Sequence, residues 1–284
     1  MFLKALRENL SPSMKSDLAR AFPKIYMHYE RKYILNALKL KQFYNKEGDL
    51  LRIGRANLPM KVLCNPNLIG SFNAEFDDIV YPMLPGGNTY SRHTYDEGPY
   101  QFSHVKIEKD NIVFDCGANI GLFSVMAANN NCLCYAFEPL PKNIDCLRLI
   151  ISVNPHIFLA PYAVSNVDGR IQFTNNKDSI GTNKISLSEW IIENTISVNA
   201  ITLDSFVDKN NIERVDFIKA DIEGAERYML MGAKHVLKEF APKLSICKYH
   251  LPDDPQVLRE LILDANPRYI IEEHWQKIYA YVPK

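Results

Sequence analysis

The chain has 284 residues, 47% of them apolar, which suits one large folded α/β domain with an appendage and excludes a disordered chain. Its 33 Lys and Arg balance 33 Asp and Glu, which argues against a nucleic-acid binder whose affinity rests on neutralising phosphates. No window approaches the ~18 consecutive apolar residues that cross a bilayer, and the opening MFLKALRENLSPS lacks a signal peptide's apolar stretch and cleavage site, so a cytoplasmic location is expected.

Residues 1–56 hold twelve Lys and Arg against five Asp and Glu, so this portion is basic and the remainder acidic. A solvated helix face is the simplest reading, and a patch for an anionic substrate or membrane surface is the alternative. Within it, residues 24–46 (KIYMHYERKYILNALKLKQFYNK) place apolar side chains at helical spacing without internal Gly or Pro, which predicts one long amphipathic helix stopped by Gly48. Its apolar positions wrap widely enough to suit a homodimer seam. From residue 49 to 100 short apolar runs (LLRI, KVLC, DIVY) alternate with Asn, Pro and Gly, the punctuation of short strands and loops, and Pro85-Gly86-Gly87-Asn88 marks a turn. Residues 1–97 are thus expected to form an N-terminal extension, packed on a main domain of residues 98–284 and helping to shape an acceptor pocket. His93, Tyr100 and His104, in and after YSRHTYDEGPYQF, are candidates for the edge of a site.

After Glu108 strand and helix patterns alternate, which implies βαβ units and a parallel sheet. Strands are predicted at 112–115, 133–138, 158–163, 215–220 and 244–248, and helices near 120–129, 141–153, 225–240 and 255–264. The last stretch, RYIIEEHWQKIYAYV, predicts an antiparallel hairpin that closes the sheet. Its His274, like His235 on the 225–240 helix, is expected to be structural. The six cysteines lie mostly in apolar runs without paired C-x-x-C spacing, so reduced structural thiols and no metal site are expected.

In Asp115-Cys116-Gly117-Ala118-Asn119-Ile120-Gly121 two glycines follow an apolar strand and open a helix, so the backbone can turn tightly and lie against a nucleotide-like ligand. Asp115 discriminates among such ligands. A carboxylate there would repel a pyrophosphate on the helix N-terminus but suits a cation such as S-adenosylmethionine, whose ammonium it can accept hydrogen bonds from, directly or through water. Leu122 stands where the third glycine of G-x-G-x-x-G would be. Glu138, in YAFEP before Pro139, follows Gly117 by twenty-one residues, near the ~20-residue spacing at which an acid meets ribose hydroxyls.

The blocks IVFDCGANIGLFS, YAFEP, APYAVSNVDGRIQF, ITLDSF and VDFIKADIEGAERYMLMGA occur in this order, and over residues 98–284 the chain resembles the FkbM family of S-adenosylmethionine-dependent methyltransferases. DIEGAE after the FIK strand is the most diagnostic piece, whereas the glycine loop alone fits almost any class I methyltransferase. The resemblance implies a Rossmann-like, seven-stranded, mostly parallel sheet with helices on both faces, and usually a hydroxyl acceptor. It also implies that Asp115, Gly117, Ala118, Asn119 and Gly121 form the loop at the methionine end of the cofactor, that Glu138 with Pro139 meets the ribose, and that Ala163 and Val164 lie near the adenine. Ordinary strand-end packing is the alternative for the last two. The first ninety or so residues carry no such resemblance.

Methyl transfer is an in-line displacement at a carbon activated by the sulfonium, so the protein mainly positions the acceptor and manages its proton. Asp221 ends the predicted fourth strand, Glu223 follows in the turn before Gly224, and His250 ends the next strand, all beside the crevice where open α/β sheets bind ligands. These three are expected to surround the transferred methyl, with His250 or Asp221 taking the hydroxyl proton. The alternatives are helix caps for Asp221 and Glu223, and a divalent ion chelated by the cluster; Glu226 is expected to complement the helix dipole. The acceptor is expected to be a small molecule or glycan, a sugar hydroxyl first. A nicotinamide-dependent oxidoreductase and a non-catalytic cofactor-binding scaffold are the competing readings.

Overall fold

The computed structural model describes residues 40–64, 97–174 and 195–283, together with positions 21, 28, 31, 32, 35 and 79. The turn at Pro85–Asn88, the DIVY run apart from Ile79, and His93 lie outside the described residues.

At the start, positions 21, 28, 31, 32 and 35 are helical, but the predicted helix does not run on to residue 46. Lys41–Phe43 is a 3-10 turn, and Tyr44–Asn45 is a strand, β1, paired antiparallel with β2 (Leu50–Ile53). The reversal between them overrides helical periodicity: Asn45 Oδ1 accepts from the Gly48 amide at 3.1 Å, and the Tyr44 hydroxyl donates to Asp49 at 2.9 Å. β3 (Ala56–Pro59) completes a small sheet, and α1 (Met60–Leu63) follows.

Among the described residues the main sheet has seven strands: β4 (Ile112–Cys116), β5 (Leu133–Phe137), β6 (Ile157–Ala160), β10 (Phe217–Ala220), β11 (Lys243–Cys247), β12 (Ile270–His274) and β13 (Lys277–Tyr281). Their spatial order is β12-β13-β11-β10-β4-β5-β6. All neighbours from β6 to β11 are parallel, and the β12–β13 hairpin closes the sheet antiparallel. The predicted sheet and its closing hairpin are therefore present.

Strand alternation divides the core between the two faces of the sheet. Val113, Ala136 and Phe217 point to one side, against Leu122, Phe123 and Val125 of α2 (Leu122–Asn129) and Leu147 of α3 (Pro141–Ile151). Leu51, Ile53 and Leu58 of the small sheet extend this layer, and Asn154 pins it by accepting from the Asn57 amide at 2.9 Å and donating to the Asn57 carbonyl at 2.7 Å. Phe114, Phe137 and Ile218 point to the other side, against Phe206 of α4 (Leu203–Lys209), Met229 of α5 (Glu226–Met231) and Leu258 of α6 (Asp254–Ala265). Each fully buried large side chain of this kind contributes about 1.5–3 kcal/mol.

Two predicted elements are shorter than their apolar runs. The strand drawn through 158–163 ends at Ala160, because Ala163–Val164, β7, leaves to pair with β9 (Thr195–Ile201) in a second small sheet with β8 (Gly169–Thr174). The helix drawn through 225–240 breaks at Gly232, where an added Cβ would lie 2.2 Å from the Ser165 carbonyl, and resumes as a π turn at Val236–Phe240. All six cysteines are buried and free.

Candidate active site

At the carboxyl end of β4 the chain passes through left-handed backbone at Gly117 (φ 77°), Asn119 (φ 51°) and Gly121 (φ 92°), the last serving as the N-cap of α2. The amides of Gly117 and Ala118 both donate to the Phe137 carbonyl, which binds the loop to the end of β5. Gly117 lies so close to the next strand end that an added Cβ would sit 2.0 Å from the Asp221 carbonyl oxygen. No other residue fits there. The glycine loop and the DIEGAE turn are thus in direct contact.

Asp115 does not open onto the crevice. Its carboxylate is fully buried on the face under α2, where Ser124 donates to it at 2.6 Å and the Lys219 ammonium lies 3.2 Å away. A charged Lys219 on the same face of the neighbouring strand thus pairs with the carboxylate. Lys219 also donates to the Gly117 carbonyl at 2.6 Å, so it fixes the glycine loop from beneath. Burial works against its charge, yet Asp115 and Asp221 hold its pKa above the ordinary lysine value. The sequence offered one signal for this residue: a lone cation inside the apolar run FIKA.

Glu138 is 5% exposed and braces the loop from the other side. It accepts from the Asn119 amide at 3.0 Å and from the Leu140 amide at 2.9 Å. Burial outweighs these hydrogen bonds and pushes its pKa up to about 7. Pro139 beside it is half-buried. Ala163 and Val164 are buried in the small sheet with their side chains covered, which fits the packing alternative better than an open adenine contact.

Asp221, Glu223 and His250 do converge. His250 Nε2 lies 3.7 Å from Asp221 Oδ1 and 3.7 Å from Glu223 Oε2, while Nδ1 lies 3.1 Å from Glu226 Oε1. The imidazole is 4% exposed, and neither ring nitrogen has an aligned hydrogen bond. Burial lowers the tendency of His250 to carry charge, but Glu226, Asp221 and Glu223 outweigh it and raise its pKa above the ordinary histidine value. Asp221 is pushed up by burial and brought below the usual carboxylate range by Lys219, the Tyr100 hydroxyl and His250.

Glu223 occupies left-handed backbone (φ 56°) followed by Gly224 (φ 94°), a turn a non-glycine adopts only when its surroundings enforce it. Glu226 is what enforces it: its fully buried carboxylate accepts from the Ile222 amide at 2.8 Å and the Gly224 amide at 3.0 Å. Beyond complementing the helix dipole, Glu226 therefore builds the turn that carries Glu223 and faces His250. Neither Asp221 nor Glu223 caps α5, whose N-cap is Ala225. Asp221, Glu226 and His250 form the metal-sized donor group found among the described residues.

Tyr100 belongs to the site, since its hydroxyl donates to Asp221 Oδ2 at 2.7 Å. Its ring lies between Lys219 and Lys277, 5.4 Å and 4.5 Å from the two ammonium nitrogens. His104 does not belong: it packs on Tyr281, at the end of β13 that pairs beside the start of β11, away from the crevice. His235 stacks near Phe240 and His274 near Phe102, consistent with structural roles.

The sequence profile of the methyltransferase FkbM domain matches residues 115–275, from the buried Asp115 to the closing hairpin and over more than half of the chain. The chain belongs to the FkbM methyltransferase family. Membership displaces the nicotinamide-oxidoreductase alternative. Among relatives of named activity, hexuronic acid methyltransferase AglP of Haloferax volcanii is 26% identical over 161 residues, 56% of this chain and 64% of that protein. The 2-O-methyltransferase NoeI of Sinorhizobium fredii is 28% identical over 144 residues, 45% of this chain and 59% of that protein. The chain thus matches less than two thirds of the length of these relatives. Among solved structures, methyltransferase FkbM from Methylobacillus flagellatus KT aligns with 90% of this chain and 62% of its own, at 18% identity and a TM-score of 0.49. Among the described residues no helix is long and apolar enough to cross a membrane.

Proposed function

We propose that this FkbM protein transfers a methyl group from S-adenosylmethionine to a hydroxyl of a sugar, free or within a glycan. The observation that carries this reading is the contact between the glycine loop and the Asp221–Glu223–His250 cluster, which sets a nucleotide-type loop against a proton-handling group at one crevice. The named activities of the two relatives, on a hexuronic acid and at a 2-hydroxyl, support a sugar acceptor.

The residues fit the cofactor. Gly117 lets the loop backbone lie directly against the Asp221 carbonyl, Glu138 stands at the end of the neighbouring strand for vicinal ribose hydroxyls, and the acids Asp221 and Glu223 suit a cationic group. Bound there, S-adenosylmethionine supplies a methyl carbon already activated by its sulfonium. Asp115 acts indirectly, by neutralising Lys219, which in turn holds the Gly117 carbonyl.

His250 is the group that takes the acceptor's proton. Its Nε2 lies 3.7 Å from Asp221 Oδ1 and from Glu223 Oε2, longer than a hydrogen bond, and a hydroxyl seated beside the pair would hydrogen-bond both ring and carboxylate. His250 Nε2 would take the proton that the acceptor hydroxyl gives up as its oxygen gains the methyl group and the methyl–sulfur bond breaks to leave S-adenosylhomocysteine. The resulting imidazolium is favoured by Asp221, Glu223 and Glu226, the same acids that raise the pKa.

His250→Ala should cut kcat by about 10²–10⁴-fold while leaving S-adenosylmethionine affinity nearly unchanged. Because only neutral His250 accepts a proton, wild-type kcat/KM should rise with pH through a value above the ordinary histidine pKa of about 6.5. Full turnover in His250→Ala would remove it from the mechanism. Cofactor binding without transfer to any glycan extract would favour the scaffold reading.

A further inference from the structure

The β12–β13 hairpin carries an expensive feature at its tip. His274 pairs with Lys277, so Trp275 and Gln276 form a two-residue turn, and Trp275 adopts left-handed backbone (φ 51°). That position in a tight hairpin normally takes Gly, Asn or Asp, and for a bulky residue it is an outlier. Burial does not compensate in full, because the indole remains 38% exposed. The indole is nonetheless fixed. It rests on Gly98, where an added Cβ would lie 2.7 Å from its ring carbons, and stands edge-on to Phe102 at 5.1 Å. Gly98 itself has φ 75°. Two unusual backbone positions thus combine at one partly exposed aromatic side chain.

This tip stands at the crevice edge. Lys277 pairs with Cys247 at the carboxyl end of β11, three residues before His250. Lys277 Nζ donates to the carbonyls of Glu97 and Gly98 at 2.9 and 2.7 Å, and Tyr100, two residues on, reaches Asp221. On the other side Tyr249 is 39% exposed, packs its ring 4.2 Å from that of His250, and lies within reach of the charges of Asp221, Glu223 and Glu97.

We infer that Trp275, with Tyr249 beside the base, is the stacking platform for the acceptor's pyranose ring. The inference rests on the proposed sugar O-methylation and names the surface that selects the acceptor. A pyranose presents an apolar C–H face that matches an exposed indole, while its hydroxyl edge remains free for polar partners. Rigid Trp and Tyr side chains provide such contact at low entropic cost. The backbone strain at Trp275 is retained because it fixes the indole where the ring must lie.

Two measurements test this. In a Trp190→Phe background Trp275 is the sole tryptophan, since the chain has two. Methyl β-D-glucuronide and methyl β-D-glucoside are titrated, with and without S-adenosylhomocysteine. Saturable quenching by at least one glycoside is expected, and the stronger of the two shows whether the rim selects an acid or a neutral sugar. Trp275→Asn should weaken glycoside binding about tenfold and leave S-adenosylmethionine affinity unchanged. Trp275→Phe should keep part of the glycoside affinity. A merely structural tryptophan would give a lower Tm without a selective loss of glycoside binding. No saturable quenching by either glycoside, or unchanged binding in Trp275→Asn, would overturn the inference. Failure of the wild type to bind the cofactor would count against the proposed function alone, since the glycoside titration needs no cofactor.

Discussion

Asp115 and Lys219 show how one residue's partner decides its role. Both are buried, so removing either leaves an uncompensated charge in the core. Asp115→Ala should cost about 3–5 kcal/mol in denaturant unfolding, and Asp115→Ala with Lys219→Met should recover much of that loss. Additive losses in the double variant would show that the pair does not interact. Glu138 carries a second residue-scale expectation. Its folded pKa of about 7 exceeds the ordinary carboxylate value, so its contribution to stability is full at low pH and is lost as pH rises through about 7. On the proposed reading ribose hydroxyls would donate to the ionised form, so cofactor affinity should strengthen by up to about tenfold per pH unit on approaching pH 7 from below, and level off above it. Calorimetric titration at several pH values checks this, and a dependence that persists in Glu138→Gln would assign it elsewhere.

Among the elements, the glycine loop is the least tolerant. Gly117→Ala adds a Cβ against the Asp221 carbonyl at a left-handed backbone position, so it should abolish cofactor binding and lower Tm, whereas Gly169→Ala, with open space around it, should spare binding. Equal loss in both variants would show that the loop contact is not what matters. The main sheet was legible because strands buried on both faces read as short apolar runs between helical patterns. What failed were boundaries. Helical periodicity through residue 46 could not reveal the Asn45–Gly48 reversal, and the apolar run to Ala163 could not reveal a change of sheet at Pro161. The second small sheet escaped because its partners, β7 and β9, are about thirty residues apart. Within the site, the DIEGAE turn announced Asp221 and Glu223, but the bracing by Glu226 and the approach of Tyr100 arise from contacts that sequence spacing does not encode.

For the whole molecule, the seven-stranded order brings four strand ends, from β5 to β11, to a single edge. The segment around Tyr100 and the closing hairpin lie at that edge, so the glycine loop and His250 stand at the same end of the sheet. The small sheet of residues 44–59 packs on α2 and α3 behind the sheet, and its described part adds nothing to the crevice walls described above. The central claim is that this crevice binds S-adenosylmethionine through the loop at Gly117. Calorimetric titration of the wild type and of Gly117→Ala with S-adenosylmethionine and with NAD tests it most directly. One saturable S-adenosylmethionine site per chain, absent in Gly117→Ala and unmatched by NAD, is the predicted result; binding of NAD instead, or S-adenosylmethionine binding that survives Gly117→Ala intact, would contradict it.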